Sequence, residues 1–216
     1  MGAGNGHRHP HPRSTWGEPS PGAITRVTGW LRSLLGTRSP EPASGLGQLP
    51  IRLRRDPLAA PYLAAEREGD HPRAAEAATV AMETAVGREE WWVADIWGHR
   101  ALWHFEQAQL VLESVRQARR IGDLRWAAGD PASARRYYAE AIDEARDIGA
   151  EREQGLAAFG LGRALLDLGS VTEARRLASA AITLLERSEA PPVELEAARE
   201  LLGTEVAVGD GREERH

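Results

Sequence analysis

Residues 115–148 read VRQARRIGDLRWAAGDPASARRYYAEAIDEARDI, and residues 155–188 repeat that text in outline as GLAAFGLGRALLDLGSVTEARRLASAAITLLERS. A shift of 40 residues aligns the small residues of the two copies, namely Ala118 with Ala158, Gly122 with Gly162, Gly129 with Gly169, Ala134 with Ala174, and Ala141 with Ala181. A fixed period of this kind is typical of stacked helical hairpins, each of which buries its apolar side against the next. The repeat therefore predicts an all-α protein.

The spacing inside each copy predicts where the two helices of a hairpin meet and where they end. Gly122 and Ala134 have almost no side chain, so two antiparallel helices can approach closely there. Gly129 is suited to end the first helix. Asp130 and Pro131 are suited to start the second, as the N-cap and the first helical residue. Larger side chains are expected to fill the gaps around the contact, namely Ile121, Tyr138 and Ile142.

The order of these residues resembles the tetratricopeptide repeat (TPR) family, in a form of bacterial type. The shared features are a small residue, an aliphatic residue followed by Gly, a glycine turn and a second helix opened by Ala. The resemblance implies a right-handed superhelix of antiparallel helical hairpins, a TPR-like α-solenoid. The period of 40 exceeds the roughly 34 residues usual in that family, so the helices are expected to be longer or the links between units looser.

The rest of the chain is divided by composition. Gly, Pro, His and Ser dominate the N-terminal region, and a basic apolar stripe interrupts them. The predicted organisation is a disordered or linker segment at 1–56 with a candidate amphipathic helix at 23–35, a helical-repeat domain at 57–208, and a charged tail at 209–216. Within that domain we expect hairpins at about 73–109, 112–148 and 151–188, and a closing helix at 193–208.

The first repeat can be aligned in two registers. Counting back 40 residues from Ala118 and Ala134 makes 73–86 and 89–109 one hairpin. The other register takes Gly69-Asp70 as the turn of a hairpin and 73–86 as its second helix. The first register is preferred because it leaves no helix without a partner.

Composition excludes several classes of chemistry. The chain has no Cys, and all 27 of its Lys and Arg residues are Arg. Disulfides, thiolate nucleophiles, P-loop lysines and lysine Schiff bases are therefore excluded. No apolar run approaches the 18 residues of a membrane span, and Met1–Arg13 lacks the apolar core of a secretory signal, so a cytoplasmic protein is expected. Residues 56–216 have a net charge of about −11, which argues against nucleic acid as a partner.

An aromatic stretch at 89–109 has two interpretations. It contains four tryptophans and Phe105 at helical spacings. The stretch could form an aromatic ligand cradle or an interface, or it could pack as core between hairpins. Asp95 and His99 stand four residues apart, as metal ligands or an acid/base pair would, but no third ligand or nucleophile accompanies them. We therefore expect no catalytic residue, no metal site and no cofactor.

The candidate binding residues follow from the resemblance. In TPR-like arrays the first helix of each hairpin lines the concave groove, and this implies a ligand- or peptide-binding set of Arg116, Arg119, Arg120, Asp123, Trp126, Leu156, Phe159, Arg163 and Leu166. Basic and apolar residues together suit an extended peptide or helix with acidic and apolar side chains, or its C-terminal carboxylate. The alternative is that these arginines pair with acids of the same and adjacent helices, such as Arg119 with Asp123.

The leading functional hypothesis is a non-catalytic protein–protein interaction module, an adaptor or regulatory scaffold. The alternative is a regulatory sensor that binds a small molecule or a short signalling peptide in the groove and the aromatic helix.

Overall fold

The computed structural model describes residues 48–203, which form a succession of helices with short links. In chain order these are α1 Ile51–Arg54, α2 Ala59–Glu68, α3 His71–Gly87, α4 Trp91–Gln107, α5 Val111–Ala127, α6 Pro131–Asp147, α7 Glu151–Asp167, α8 Val171–Arg187 and α9 Pro192–Gly203. The candidate helix at 23–35 and the charged tail at 209–216 lie outside the described residues. Between residues 48 and 203 no residue is in a strand.

The helices stack in the order of the chain. Each helix packs against the one before it and the one after it, and α7 also contacts both α5 and α9. α5, α7 and α9 therefore lie side by side in the stack. The prediction of an all-α, solenoid-type fold is confirmed for this part of the chain.

The stack has a regular step of 20 residues. Helices α3 to α8 are each 17 residues long and begin at residues 71, 91, 111, 131, 151 and 171. Every link from α2 to α9 contains one residue in the left-handed backbone region, namely Gly69, Glu89, Gln109, Gly129, Gly149, Gly169 and Glu189. The links are thus short and uniform, so the 40-residue period arises from long helices and not from loose connections.

The predicted start of the second helix in the repeat is present. Asp130 caps α6, and its carboxylate accepts a hydrogen bond from the backbone N–H of Ser133 at 3.0 Å, with Pro131 in the first turn. Asp70 caps α3 in the same way, through the backbone N–H of Arg73. These side chains satisfy donors that a helix N-terminus leaves without a partner in the helix.

α3 packs against both of the helices that the two registers would pair with it. It packs more extensively against α4 than against α2, and α5 and α7 likewise pack more extensively against α6 and α8. The helices α3 and α4 occupy the stretch at 73–109, and α2 precedes this first hairpin. None of the helices between residues 48 and 203 combines the length and the apolar character that crossing a lipid bilayer requires.

Candidate functional site: the face formed by α5 and α7

Two helices one repeat apart place most of the predicted binding residues on a single face. α5 contributes Arg116, Arg119, Asp123 and Trp126, and α7 contributes Phe159 and Arg163. Because α5 and α7 lie side by side, residues 40 positions apart come opposite each other: Arg163 donates from Nη2 to Oδ1 of Asp123 at 3.0 Å. We call this set of side chains the α5–α7 face.

The carboxylate of Asp123 is at the centre of the face and accepts three hydrogen bonds. Arg119 donates from Nη1 to Oδ2 at 2.7 Å. The hydroxyl of Tyr138, on α6, donates to Oδ1 at 2.7 Å, and Arg163 donates to the same oxygen. Charge-assisted hydrogen bonds of this kind are shorter and stronger than neutral ones, so the centre of the face is firmly held.

Tyr138 reaches this carboxylate through a narrow gap between α5 and α7. A Cβ at Gly122 would lie 2.8 Å from Cε1 of Tyr138, and a Cβ at Gly160 would lie 2.3 Å from the same atom. Only Gly at both positions leaves room for the ring. Burial, followed by the neighbouring charge of Asp123, raises the pKa of the Tyr138 hydroxyl, so the group keeps its proton and acts as a donor.

Arg163 is held by aromatic rings as well as by its acid. Its guanidinium carbon lies 4.1 Å from the ring centroid of Trp126 and 4.9 Å from that of Phe159, which are cation–π distances. The indole N–H of Trp126 donates to Oδ2 of Asp167 at 2.7 Å. The two rings and the guanidinium therefore form one ordered cluster at the end of the face.

The remaining arginines also have acidic neighbours. Arg116 donates from Nε to Oε1 of Glu153 at 2.8 Å, and Nε of Arg119 lies 3.5 Å from the other oxygen of that buried carboxylate. Arg120 is directed away from the α5–α7 face, and its Nη1 lies 3.7 Å from Glu83 on α3.

The structure thus pairs every arginine of the predicted groove with a carboxylate. The Arg119–Asp123 pair expected under the alternative interpretation is present. A basic patch with no acidic partners is not formed by these residues. Leu156 and Leu166 are half-buried, and Leu156 packs against the core of the stack.

Sequence reasoning missed Glu153, Tyr138 and Asp167 as partners of the face, and Glu83 as the partner of Arg120. One signal was available, because Arg116–Glu153 and Trp126–Asp167 are separated by 37 and 41 residues, close to the period of the repeat. Complementary side chains at that separation come together wherever alternate helices adjoin.

Asp95 and His99 contact each other, and each also contacts a further side chain. His99 donates from Nδ1 to the backbone oxygen of Asp95 at 2.8 Å, and its Nε2 lies 2.8 Å from the hydroxyl of Tyr137. Arg125 lies 2.6 Å from Oδ1 of Asp95. In the part of the chain that the structure describes, no three acidic or histidine side chains are grouped so that they could hold a metal ion.

The aromatic residues of α4 are divided between core and surface. Trp97 and Phe105 are buried in the core of the stack. Trp92 is 44% exposed, and the guanidinium of Arg52 lies 3.6 Å from its ring centroid. The packing interpretation therefore holds for Trp97 and Phe105, and these two rings do not line an open ligand cradle.

A second polar cluster is buried between α2, α3 and α4. The Tyr62 hydroxyl donates to Glu66 at 2.9 Å and accepts from Arg100 at 2.9 Å. Since that hydroxyl has only one proton, His104 donates to it from Nε2, at 3.2 Å. Nδ1 of His104 is then an acceptor, so His71 donates to it from its own Nδ1 at 2.9 Å.

Burial controls the protonation of this second cluster. Burial, with the nearby charges of His71 and Arg100, lowers the pKa of His104 to about 4. Burial raises the pKa of Tyr62 to about 12, against the opposing influence of Arg100. Both side chains are therefore neutral at pH 7, as the hydrogen-bond directions require.

A scan of protein-family models gives no match to this chain, and a search of curated proteins gives no significant match. The resemblance to the TPR family stays a prediction from the repeat.

Proposed function

We propose that the chain is a non-catalytic helical-repeat module that binds a peptide or a helix of a partner protein on the α5–α7 face, as an adaptor or regulatory scaffold. The observation that carries this proposal is the convergence of the Trp126, Phe159 and Arg163 cluster from two helices one repeat apart. Trp and Arg are the side chains most enriched at the energetic centres of protein interfaces.

The cluster is suited to binding because it is both accessible and fixed. Trp126, Phe159 and Arg163 are each only half-buried, so a ligand can reach them. Their positions are already set by the ring stacking and by the hydrogen bond of Trp126 to Asp167. A partner that packs on them avoids most of the entropic cost of ordering side chains, which otherwise reduces affinity.

The apolar part of the predicted partner fits this surface best. Half-buried Leu166 lies on α7 with Phe159 and Arg163, so a bound segment can bury its own apolar side chains there. The acidic part of the predicted partner has less support, because the arginines of the face already have carboxylate neighbours. The sequence predicts both kinds of side chain in the partner, and a selection experiment shows which of them the face binds.

The test is selection from a random peptide library displayed on phage, with the full chain immobilised. We expect peptides with a shared apolar consensus to be enriched on the wild-type chain and lost on Trp126→Ala and on Phe159→Ala. Trp92→Ala is the matched control, since it removes an exposed tryptophan on α4. Circular dichroism checks that all three variants keep their helix content. Enrichment that persists on Trp126→Ala and Phe159→Ala, or no enrichment at all, would contradict the proposal.

A further inference from the structure

The three donors around Asp123 each have a second anchor that does not involve Asp123. Arg163 is stacked on Trp126 and Phe159. Arg119 lies 3.5 Å from Glu153. The Tyr138 ring is confined between Gly122 and Gly160. These anchors are expected to keep the donors directed at the same point when the Asp123 carboxylate is removed.

The point at which these donors converge is open to solvent on one side. The side chain of Asp123 is 38% exposed although both of its oxygens accept hydrogen bonds. The side chains of Arg119 and Arg163 are less exposed, at 21% and 26%. A ligand that approaches the face therefore has easier access to the carboxylate than to the side chains of the two arginines.

We propose that Arg119, Arg163 and Tyr138 form a carboxylate-binding site that Asp123 fills from within the chain, so that Asp123 excludes the carboxylates of ligands from the α5–α7 face. Two guanidinium groups and a hydroxyl donate to both oxygens of one carboxylate, which is the chemistry that recognises an acidic side chain or a C-terminus. The built-in carboxylate holds this position at an effective concentration that a free ligand does not reach.

What this site implies about the partner rests on the proposed function, that the α5–α7 face binds a peptide or a helix. Asp123 becomes the residue that sets the class of ligand: the wild-type face takes a segment that binds through apolar side chains, without a carboxylate on the arginine pair. An acid at position 123 thus converts a site for anions into a site that rejects them.

The direct test uses formate and needs no partner. Asp123→Ala keeps the Cβ and removes the carboxylate, so formate is the anion that fills the space. Sodium formate, compared with sodium chloride at equal ionic strength, should raise the midpoint of thermal unfolding of Asp123→Ala by about 2–4 °C at saturating concentration. The wild-type chain should show no such difference between the two salts.

The matched control is Asp167→Ala, which removes one negative charge from the same face and leaves the arginine pair filled. Formate should not stabilise it relative to chloride. Adding Arg163→Ala to Asp123→Ala should abolish the formate effect. The proposal would be overturned if formate stabilised Asp123→Ala and the wild-type chain equally, or if it did not stabilise Asp123→Ala.

Loss of folding in Asp123→Ala also decides the question. If the variant is unfolded in chloride, recovery of its helical circular dichroism in formate supports the site, and failure to recover overturns it.

Peptide selection on the wild-type chain and on Asp123→Ala separates this proposal from the proposed function. We expect acidic or C-terminal carboxylate motifs on Asp123→Ala alone. A formate effect without any selected peptide would leave the carboxylate site standing and refute the interaction module. If peptides are selected that depend on Trp126, and formate does not stabilise Asp123→Ala, the interaction module stands and the carboxylate site is refuted.

Discussion

Single contacts decide how closely the helices of this stack approach one another, and Tyr138 is the clearest case. Its ring separates α5 from α7 and its hydroxyl reaches the Asp123 carboxylate. The side chain thus contributes to packing and to the polar centre of the face. Gly122 was expected to allow close contact between the two helices of a hairpin, and in the structure it makes space for this ring, as Gly160 does from α7.

Gly160→Ala should lower the free energy of unfolding by about 1–3 kcal/mol, because the new Cβ would lie 2.3 Å from Cε1 of Tyr138 and overpacks the gap. Gly122→Ala, at 2.8 Å, should cost less. Gly87→Ala is the control, because no atom lies within 4 Å of its added Cβ, and it should be neutral or slightly stabilising. Urea denaturation measures all three, and equal effects of Gly160→Ala and Gly87→Ala would show that the ring is free to move.

His104 should make stability depend on pH in the acidic range. Its pKa is about 4 in the folded chain and about 6.5 when unfolded, so the unfolded chain binds a proton first as the pH falls. The stabilising contribution is complete above pH about 6.5 and is lost towards pH about 4, by about 2–4 kcal/mol.

The measurement for His104 is the difference between the wild-type chain and His104→Gln at each pH. A difference is needed because burial raises the pKa of Glu140 to about 8, and that carboxyl changes stability in the opposite direction over the same range. The variant should lose less stability than the wild-type chain between pH 6.5 and 4. Parallel pH profiles would show that His104 is protonated in the folded chain.

At the scale of helices and links, the structure repeats every 20 residues, and only part of this spacing is visible in the sequence. A residue with positive φ occurs every 20 positions from 69 to 189, but Gly occupies only four of these seven places. At the other three the chain has Glu89, Gln109 and Glu189. The shorter step was therefore missed, since glycine is the usual sequence signal of a left-handed link.

Gln109→Gly should stabilise the chain by up to about 1 kcal/mol, because Gln at φ 57° is strained where Gly is not. The gain is limited by the greater freedom that Gly has in the unfolded chain. The reciprocal change Gly129→Gln, at φ 79°, should destabilise by about 1 kcal/mol. Thermal unfolding by calorimetry measures both. A loss of stability in Gln109→Gly would mean that the Gln side chain makes a compensating contact.

The helices were predictable and the contacts between them were not, for a physical reason. Ala134 and Gly122 repeat at the same places in both copies, so a helical hairpin could be derived from small residues and turns alone. The partner of Arg116 is Glu153, 37 residues away, and that choice depends on which faces of α5 and α7 adjoin. Helix periodicity places both residues on helices but does not say which acid an arginine meets.

On the scale of the whole molecule, packing between successive helices makes stability local. Each helix depends on its neighbours in the stack, so damage at one end should not spread to the other. Leu201 on α9 is buried, and its Cδ2 lies 2.9 Å from the position of a Cβ on Gly162. This contact helps to fix the last helix to α7, together with the ion pair between Arg152 and Glu194.

Leu201→Ala should therefore increase amide hydrogen exchange in α8 and α9 and leave α2 to α4 nearly unchanged, with a local loss of about 2–5 kcal/mol. Leu53→Ala is the matched control, because Leu53 is buried at the other end of the stack. It should increase amide hydrogen exchange in α1 to α3 instead. Hydrogen–deuterium exchange with mass spectrometry resolves the two ends. A uniform loss of protection over residues 48–203 would show that the stack unfolds as one cooperative unit.

The 20-residue step also bears on how the chain is made. Interhelical hydrogen bonds of the α5–α7 face and of the Tyr62–His104 cluster join residues 15 to 42 positions apart. A growing polypeptide emerges from its N-terminal end, so each hairpin finds its partners once the following helix has left the ribosome. No helix between residues 48 and 203 has to wait for a distant segment, and the order of translation is also a workable order of folding.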